Sequence, residues 1–163
     1  MNTTVTSRPL RRADPVRPFA VGAYGFVFLG VGHLALSAAS AAATRTPQQR
    51  EADTAMRESA FTLLGLERTV LDVFNGISIA MALFAITCGL LILAAVRHAP
   101  VLVRRRTAFG WIPLALSLAA LATSVLLLPP PPIIVLTLTS CAFALSLRRA
   151  VPAARGESRA ISR

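Results

Sequence analysis

His33 and Asp72 are the residues whose types best suit chemistry inside apolar surroundings. An imidazole near a carboxylate can relay a proton or orient a hydrogen-bonded ligand. Glu58, Arg68, Asn75 and Ser78 accompany them, so polar side chains gather between the end of the first apolar stretch and the start of the second. Polar groups within apolar walls are the usual composition of a small-molecule pocket. His33, Glu58, Arg68, Asp72, Asn75 and Ser78 are therefore the candidate ligand-binding set, and no residue is assigned as catalytic.

Each of these residues also has a purely structural use. A membrane histidine can hydrogen-bond a neighbouring helix, and Asp72 can cap a helix and favour its N-terminal dipole. Arg68 and Asp72, four apart, can form a surface ion pair worth a few tenths of a kcal/mol. Other chemistries lack their residues. A metal site needs clustered His, Asp, Glu or Cys, and a bis-histidine haem needs a second membrane histidine, whereas His98 lies in a basic loop. Cys88 and Cys141 stand far apart in apolar runs without a CxxC, which suits buried thiols acting as small apolar residues. There is no phosphate-binding glycine loop, no nucleophile elbow and no inverted repeat. No metal or cofactor is expected.

The elements that must position these groups are membrane spans. The chain is 55% hydrophobic and 15% charged, with mean hydropathy +0.64, against about 25% charged for a soluble domain. Uncharged stretches cover residues 19–43, 73–96, 107–128 and 131–149, the last closed by Arg148 and Arg149, which can snorkel. The first would reach about 37 Å as a helix, enough to cross about 30 Å of hydrocarbon with some tilt. Pro113 lies near the start of the third span, where a missing N–H costs little. Pro129 to Pro132 read as an extended turn from which Pro131 or Pro132 begins the fourth helix.

Charge sets the direction. All seventeen basic residues are arginine, and the net charge is +10. With both termini on one side, that side holds Arg8, Arg11, Arg12, Arg17, Arg97, Arg104, Arg105, Arg106, Arg148, Arg149, Arg155, Arg159 and Arg163. Only Arg45, Arg50, Arg57 and Arg68 fall opposite. The positive-inside rule then places the N- and C-termini in the cytoplasm of a bacterial cell with the protein in its inner membrane. The arginines alternate with apolar stretches instead of forming one soluble patch, so nucleic acid is not a partner. Residues 1–18 read as a disordered basic cytoplasmic leader, 19–149 as the membrane domain and 150–163 as a disordered basic tail. A competing reading takes the arginines, the first apolar stretch and SAASAAA as a cleaved signal peptide, but the stretch is about twice the usual 7–15 residues.

Within the first span, Gly22, Gly25, Leu29, Gly32, His33 and Leu36 share one helical face, so the glycines invite close helix packing and turn His33 toward the bundle. Gly76 has the same role in the second span. From Met56 to Ser78 apolar residues recur at roughly helical spacing with Arg57, Glu58, Glu67 and Arg68 between them. That pattern predicts an amphipathic helix at the outer surface, bent at Gly65, leading into the second span.

Gly32-His33, followed by Met56, Phe61, Gly65, Arg68, Asp72, Gly76 and Ser78, resembles an uncharacterised family of small four-span bacterial membrane proteins, distantly similar to the DoxX-like proteins. The likeness covers roughly the first 95 residues. It implies a four-helix membrane bundle and brings no activity. Histidines that some members carry after the first span are absent here.

The sequence thus predicts an all-α polytopic membrane protein, a four-transmembrane-helix bundle with an outer amphipathic segment between spans one and two. Its expected work is binding a small lipophilic molecule, or a partner membrane protein or second copy of itself, through an outward-facing polar pocket. Two readings from other classes use the same residues. One is an enzyme acting on a quinone- or isoprenoid-type substrate, with His33 as acid/base and Asp72 orienting it. The other is a proton-linked transporter subunit using the pair as a relay.

Overall fold

A computed structural model describes residues 14–151 of the chain. Four helices are long and apolar enough to cross a membrane: α1 (Val16–Ala42), α3 (Val70–His98), α5 (Ala108–Leu127) and α6 (Pro130–Arg149). A helix α2 (Pro47–Glu58) and a hairpin of β1 (Ala60–Leu63) and β2 (Leu66–Thr69) join α1 to α3, and a single turn α4 (Val101–Arg104) precedes α5. Among the described residues the protein is all-α but for that two-stranded sheet and one isolated bridge.

The spans form where expected, with shifts at their ends that capping explains. Val16, Arg17 and Pro18 already belong to α1, so the expected leader ends earlier; Pro18 occupies the third helical position, where no intrahelical N–H bond is lost. Residues 1–13 of the leader and 152–163 of the tail lie outside the described residues. Pro130, Pro131 and Pro132 are likewise the first turn of α6, leaving Pro129 extended. The expected four-proline turn is thus mostly helix, because the first turn needs no N–H donors. Pro113 sits one turn deeper in α5 than its cost-free position and is buried. At the other end of α6, Ala150 is buried and Val151 pairs with Arg105, so the tail does not begin at 150.

The largest departure lies between the first two spans. An amphipathic helix over Met56 to Ser78 does not form. The helical part is α2, fixed by Pro47 at its first position and a capping box in which Gln49 N–H donates to Thr46 Oγ1 (3.3 Å) and Thr46 N–H to Gln49 Oε1 (2.9 Å). Arg45 and Asp53 pair beside it. The segment Ala60–Thr69 instead folds back on itself, with Phe61 opposite Arg68 and Thr62 opposite Glu67. Its turn residues Leu64 (φ 52°) and Gly65 (φ 80°) both take positive φ, as a two-residue turn matched to strand twist requires.

The spans pack in the order α3–α1–α6–α5, with α1 and α6 central, α3 packing chiefly on α1 and α5 chiefly on α6. Phe19 and Phe26 of α1 and Phe143 of α6 fill the core, Phe19 and Phe143 edge to face at 5.0 Å and Phe109 of α5 at 5.7 Å from Phe19. Small hydroxyls finish the seams. Ser140 Oγ donates to Ser117 Oγ (3.0 Å) between α6 and α5, and Ser146 Oγ donates to the Pro15 carbonyl (2.8 Å) between α6 and α1. Large apolar side chains, among them Phe28, Phe84, Trp111, Ile112 and Leu138, cover the outside. Such a surface is far more apolar than water tolerates on a monomer, and lipid suits it. Cys141 faces this exterior and Cys88 is half-buried, so neither is the buried thiol expected.

Candidate functional site

The site is positioned by a reciprocal contact of small residues on α1 and α3. A Cβ on Gly30 would lie 2.5 Å from the Ala82 carbonyl oxygen, and one on Gly89 would lie 2.7 Å from that of Ala23. Ala23 and Gly30 are seven residues apart on α1, and Ala82 and Gly89 are seven apart on α3. Two helical turns therefore bring the same small face round twice on each antiparallel helix, and the backbones touch.

His33 stands one turn beyond Gly30 and Ser78 one turn before Ala82, so the contact that seats the glycine also brings these two together. His33 Nε2 and Ser78 Oγ hydrogen-bond at 2.7 Å, and both residues are half-buried. Among the described residues Nδ1 of His33 has no partner, and no side-chain nitrogen or oxygen is buried without one, so Nδ1 reaches the surface. The depth follows from α6. Gly22 abuts Phe143 and Gly25 abuts Thr139, and eight residues, about 12 Å, from the latter contact bring α1 to His33 and α6 back to Pro131. His33 therefore lies level with the first turn of α6, at the rim of the part where all four spans run together.

Among the described residues, Ser78 is the one member of the candidate set that hydrogen-bonds the imidazole. Asp72 is taken by the N-terminus of α3: its Oδ2 accepts from Thr69 Oγ1 (2.8 Å) and Thr69 N–H (3.3 Å), while its own N–H donates to Thr69 Oγ1 (3.1 Å). This capping box is a structural use, and among the described residues no hydrogen bond joins Asp72 to His33, the pair on which the enzyme and transporter readings rest. Arg68 belongs to strand β2, so it has no helical i, i+4 relation to Asp72; its guanidinium donates to the Glu67 carbonyl at 3.2 Å. Glu58 ends α2 and is exposed, as is Asn75 one turn before Ser78. An imidazole held by a hydroxyl and open on its other nitrogen can donate or accept one hydrogen bond to an incoming group. Among the described residues no carboxylate hydrogen-bonds it.

The glycine face also divides differently from expectation. Gly22 and Gly25 pack on α6, whereas Gly32 and Gly76 meet nothing within 4 Å. The close packing between α1 and α3 falls instead to Gly30 and Gly89, residues that reading one stripe of spacings three and four passed over. Their signal was the paired seven-residue spacing of small residues on both helices. No three His, Cys, Asp or Glu residues gather into a metal site among the described residues. No protein-family model, no curated protein and no solved structure matches this chain.

Proposed function

We propose that the protein binds a lipophilic small molecule carrying a hydrogen-bonding group, at the outer face of a bacterial inner membrane, with both termini in the cytoplasm. The observation that carries the reading is the His33–Ser78 bond, which fixes the ring through Nε2 and leaves Nδ1 at the surface beside the membrane rim. A binding group that is pre-oriented and only half-buried needs little reorganisation to engage a ligand. The orientation is supported by the sequence, in which thirteen arginines fall in the two terminal segments and the loop between the second and third spans, against four between the first and second. Kinship with the small four-span family belongs to the same proposal; of its motif residues, His33 and Ser78 join the first two spans by a hydrogen bond.

Open backbone at Gly32 and Gly76 favours a second reading, in which a helix of a partner membrane protein or of another copy lies over the same rim. Native mass spectrometry of gently purified wild type, His33→Leu and Ser78→Ala separates them. A small-molecule adduct lost in His33→Leu supports ligand binding, and a protein adduct lost there supports the partner. An identical spectrum for wild type and both variants overturns both.

A further inference from the structure

We propose that the end of the bundle carrying Arg104, Arg105, Arg106, Arg148 and Arg149 is a built seat for the phosphate headgroup of an anionic phospholipid. Charge near a membrane is commonplace; here the backbone holds it in place. Val151 N–H donates to the Arg104 carbonyl (2.9 Å), and Arg106 N–H donates to the Val151 carbonyl (3.0 Å). Arg105 and Val151 thus form a parallel bridge, with the two backbones about 5 Å apart. The loop before α5 is clasped to the chain leaving α6, with Arg105 paired to Val151, two residues beyond Arg149.

Arg106 completes the clasp. Its Nε donates to the Leu147 carbonyl at 3.2 Å, covering the carbonyl end of α6 that would otherwise repel an anion. Among the described residues its two terminal nitrogens have no hydrogen-bond partner, and the residue is exposed. Acidic compensation is slight: among the described residues the only carboxylate at this end is Asp14, 3.9 Å from Arg104 and also accepting from Val16 N–H. Arg105, Arg148 and Arg149 are exposed and have no ion pair among the described residues. Guanidinium groups fork onto phosphate oxygens, and a lipid phosphate lies at the depth where a span ends. The occupant is therefore the phosphate of a lipid in the adjoining leaflet, and the seat does not depend on any role for His33.

The full chain is reconstituted in phosphatidylcholine nanodiscs containing a minority of phosphatidylglycerol, and the lipids it retains on release are counted by native mass spectrometry. Wild type should retain phosphatidylglycerol preferentially, and Arg105→Gln/Arg149→Gln should lower that preference by about fivefold per arginine. Arg50→Gln/Arg57→Gln, at the opposite end, should leave it unchanged. The decisive variant is Val151→Pro, which keeps every charge but removes the N–H that closes the clasp. Ala150 already has φ −67° and ψ 143°, a conformation that tolerates a following proline. Its preference should fall toward that of the double arginine variant. Wild-type preference in Val151→Pro, or equal losses in the two arginine pairs, would show unspecific charge and overturn the seat. Displacement of the lipid by added inorganic phosphate would assign a free-anion site and overturn the lipid.

Discussion

His33 of α1 and Ser78 of α3, forty-five residues apart in the chain, share a 2.7 Å hydrogen bond at the rim of the bundle. Asp72, the carboxylate nearest to Ser78 along α3, is instead bonded to Thr69. A double-mutant cycle between His33→Ala and Ser78→Ala should show coupling of about 0.6 kcal/mol, the average for hydrogen bonds between membrane helices. The same cycle between His33→Ala and Asp72→Ala should show none within error. Reversible unfolding in mixed micelles measures both, and coupling to Asp72 in place of Ser78 would refute the assignment.

The glycines of α1 and α3 should sort into two groups. Gly30→Ala and Gly89→Ala place a methyl group within 3 Å of a carbonyl oxygen of the facing backbone. Backbone cannot rotate aside as a side chain does, so each should cost about 1–3 kcal/mol. Gly32→Ala and Gly76→Ala meet open space and should be neutral, or stabilise by up to about 1 kcal/mol through helix propensity. The midpoint of the same unfolding transition distinguishes the groups.

The buried hydroxyls between α5 and α6 act in series. Ser140 Oγ donates to Ser117 Oγ, which donates to the Leu114 carbonyl at 2.9 Å. Ser117→Ala strands the Ser140 hydroxyl in a buried site, whereas Ser140→Ala leaves the Ser117 donor satisfied. Ser117→Ala should therefore be the costlier, by about 1 kcal/mol, since an unmet buried donor loses its desolvation energy. Equal losses would mean that the chain does not run in this direction.

At the hairpin tip Leu64 is 96% exposed at φ 52°. A leucine in that region costs about 1–2 kcal/mol, which asparagine largely avoids. Leu64→Asn should slow amide exchange across Ala60–Leu63 and Leu66–Thr69 without changing that of α1. Faster exchange in the hairpin would show that the leucine makes a contact worth more than its strain.

Capping gives a local test at the start of α3. Asp72→Ala removes both the acceptor for Thr69 and the favourable charge in the first turn. The unfolding midpoint should fall, with no change in any adduct that depends on His33. Loss of such an adduct in Asp72→Ala, at unchanged helicity, would return the carboxylate to the binding site.

How much of this was legible in the residues themselves depends on the distance over which each feature acts. Span positions and the arginine bias are sums over neighbouring residues, so hydropathy and charge placed four helices within a few residues of where they lie. The cap at Thr69 and Asp72 is also local, and its three-residue spacing was there to be read. The hairpin was not legible because the apolar residues of Met56–Ser78 match a helical period as well as a strand; Gly65 takes positive φ freely, but Leu64 does so at a cost that no local signal announces.

Which residues meet was a question of rotation and register, and these exist only once helices pack. The sequence alone marked His33 as a polar group in a span and Ser78 as a neighbour at matching depth. It also suggested Asp72, Asn75, Glu58 and Arg68, because depth in the membrane does not say which way a side chain faces. The close backbone approach at Gly30 and Gly89 set the rotation of α1 against α3, carried Ser78 to the imidazole, and left Gly32 and Gly76 uncovered. Hydrophobic driving force is nearly the same for every rotation of an apolar helix in lipid, so steric fit between small residues made the choice.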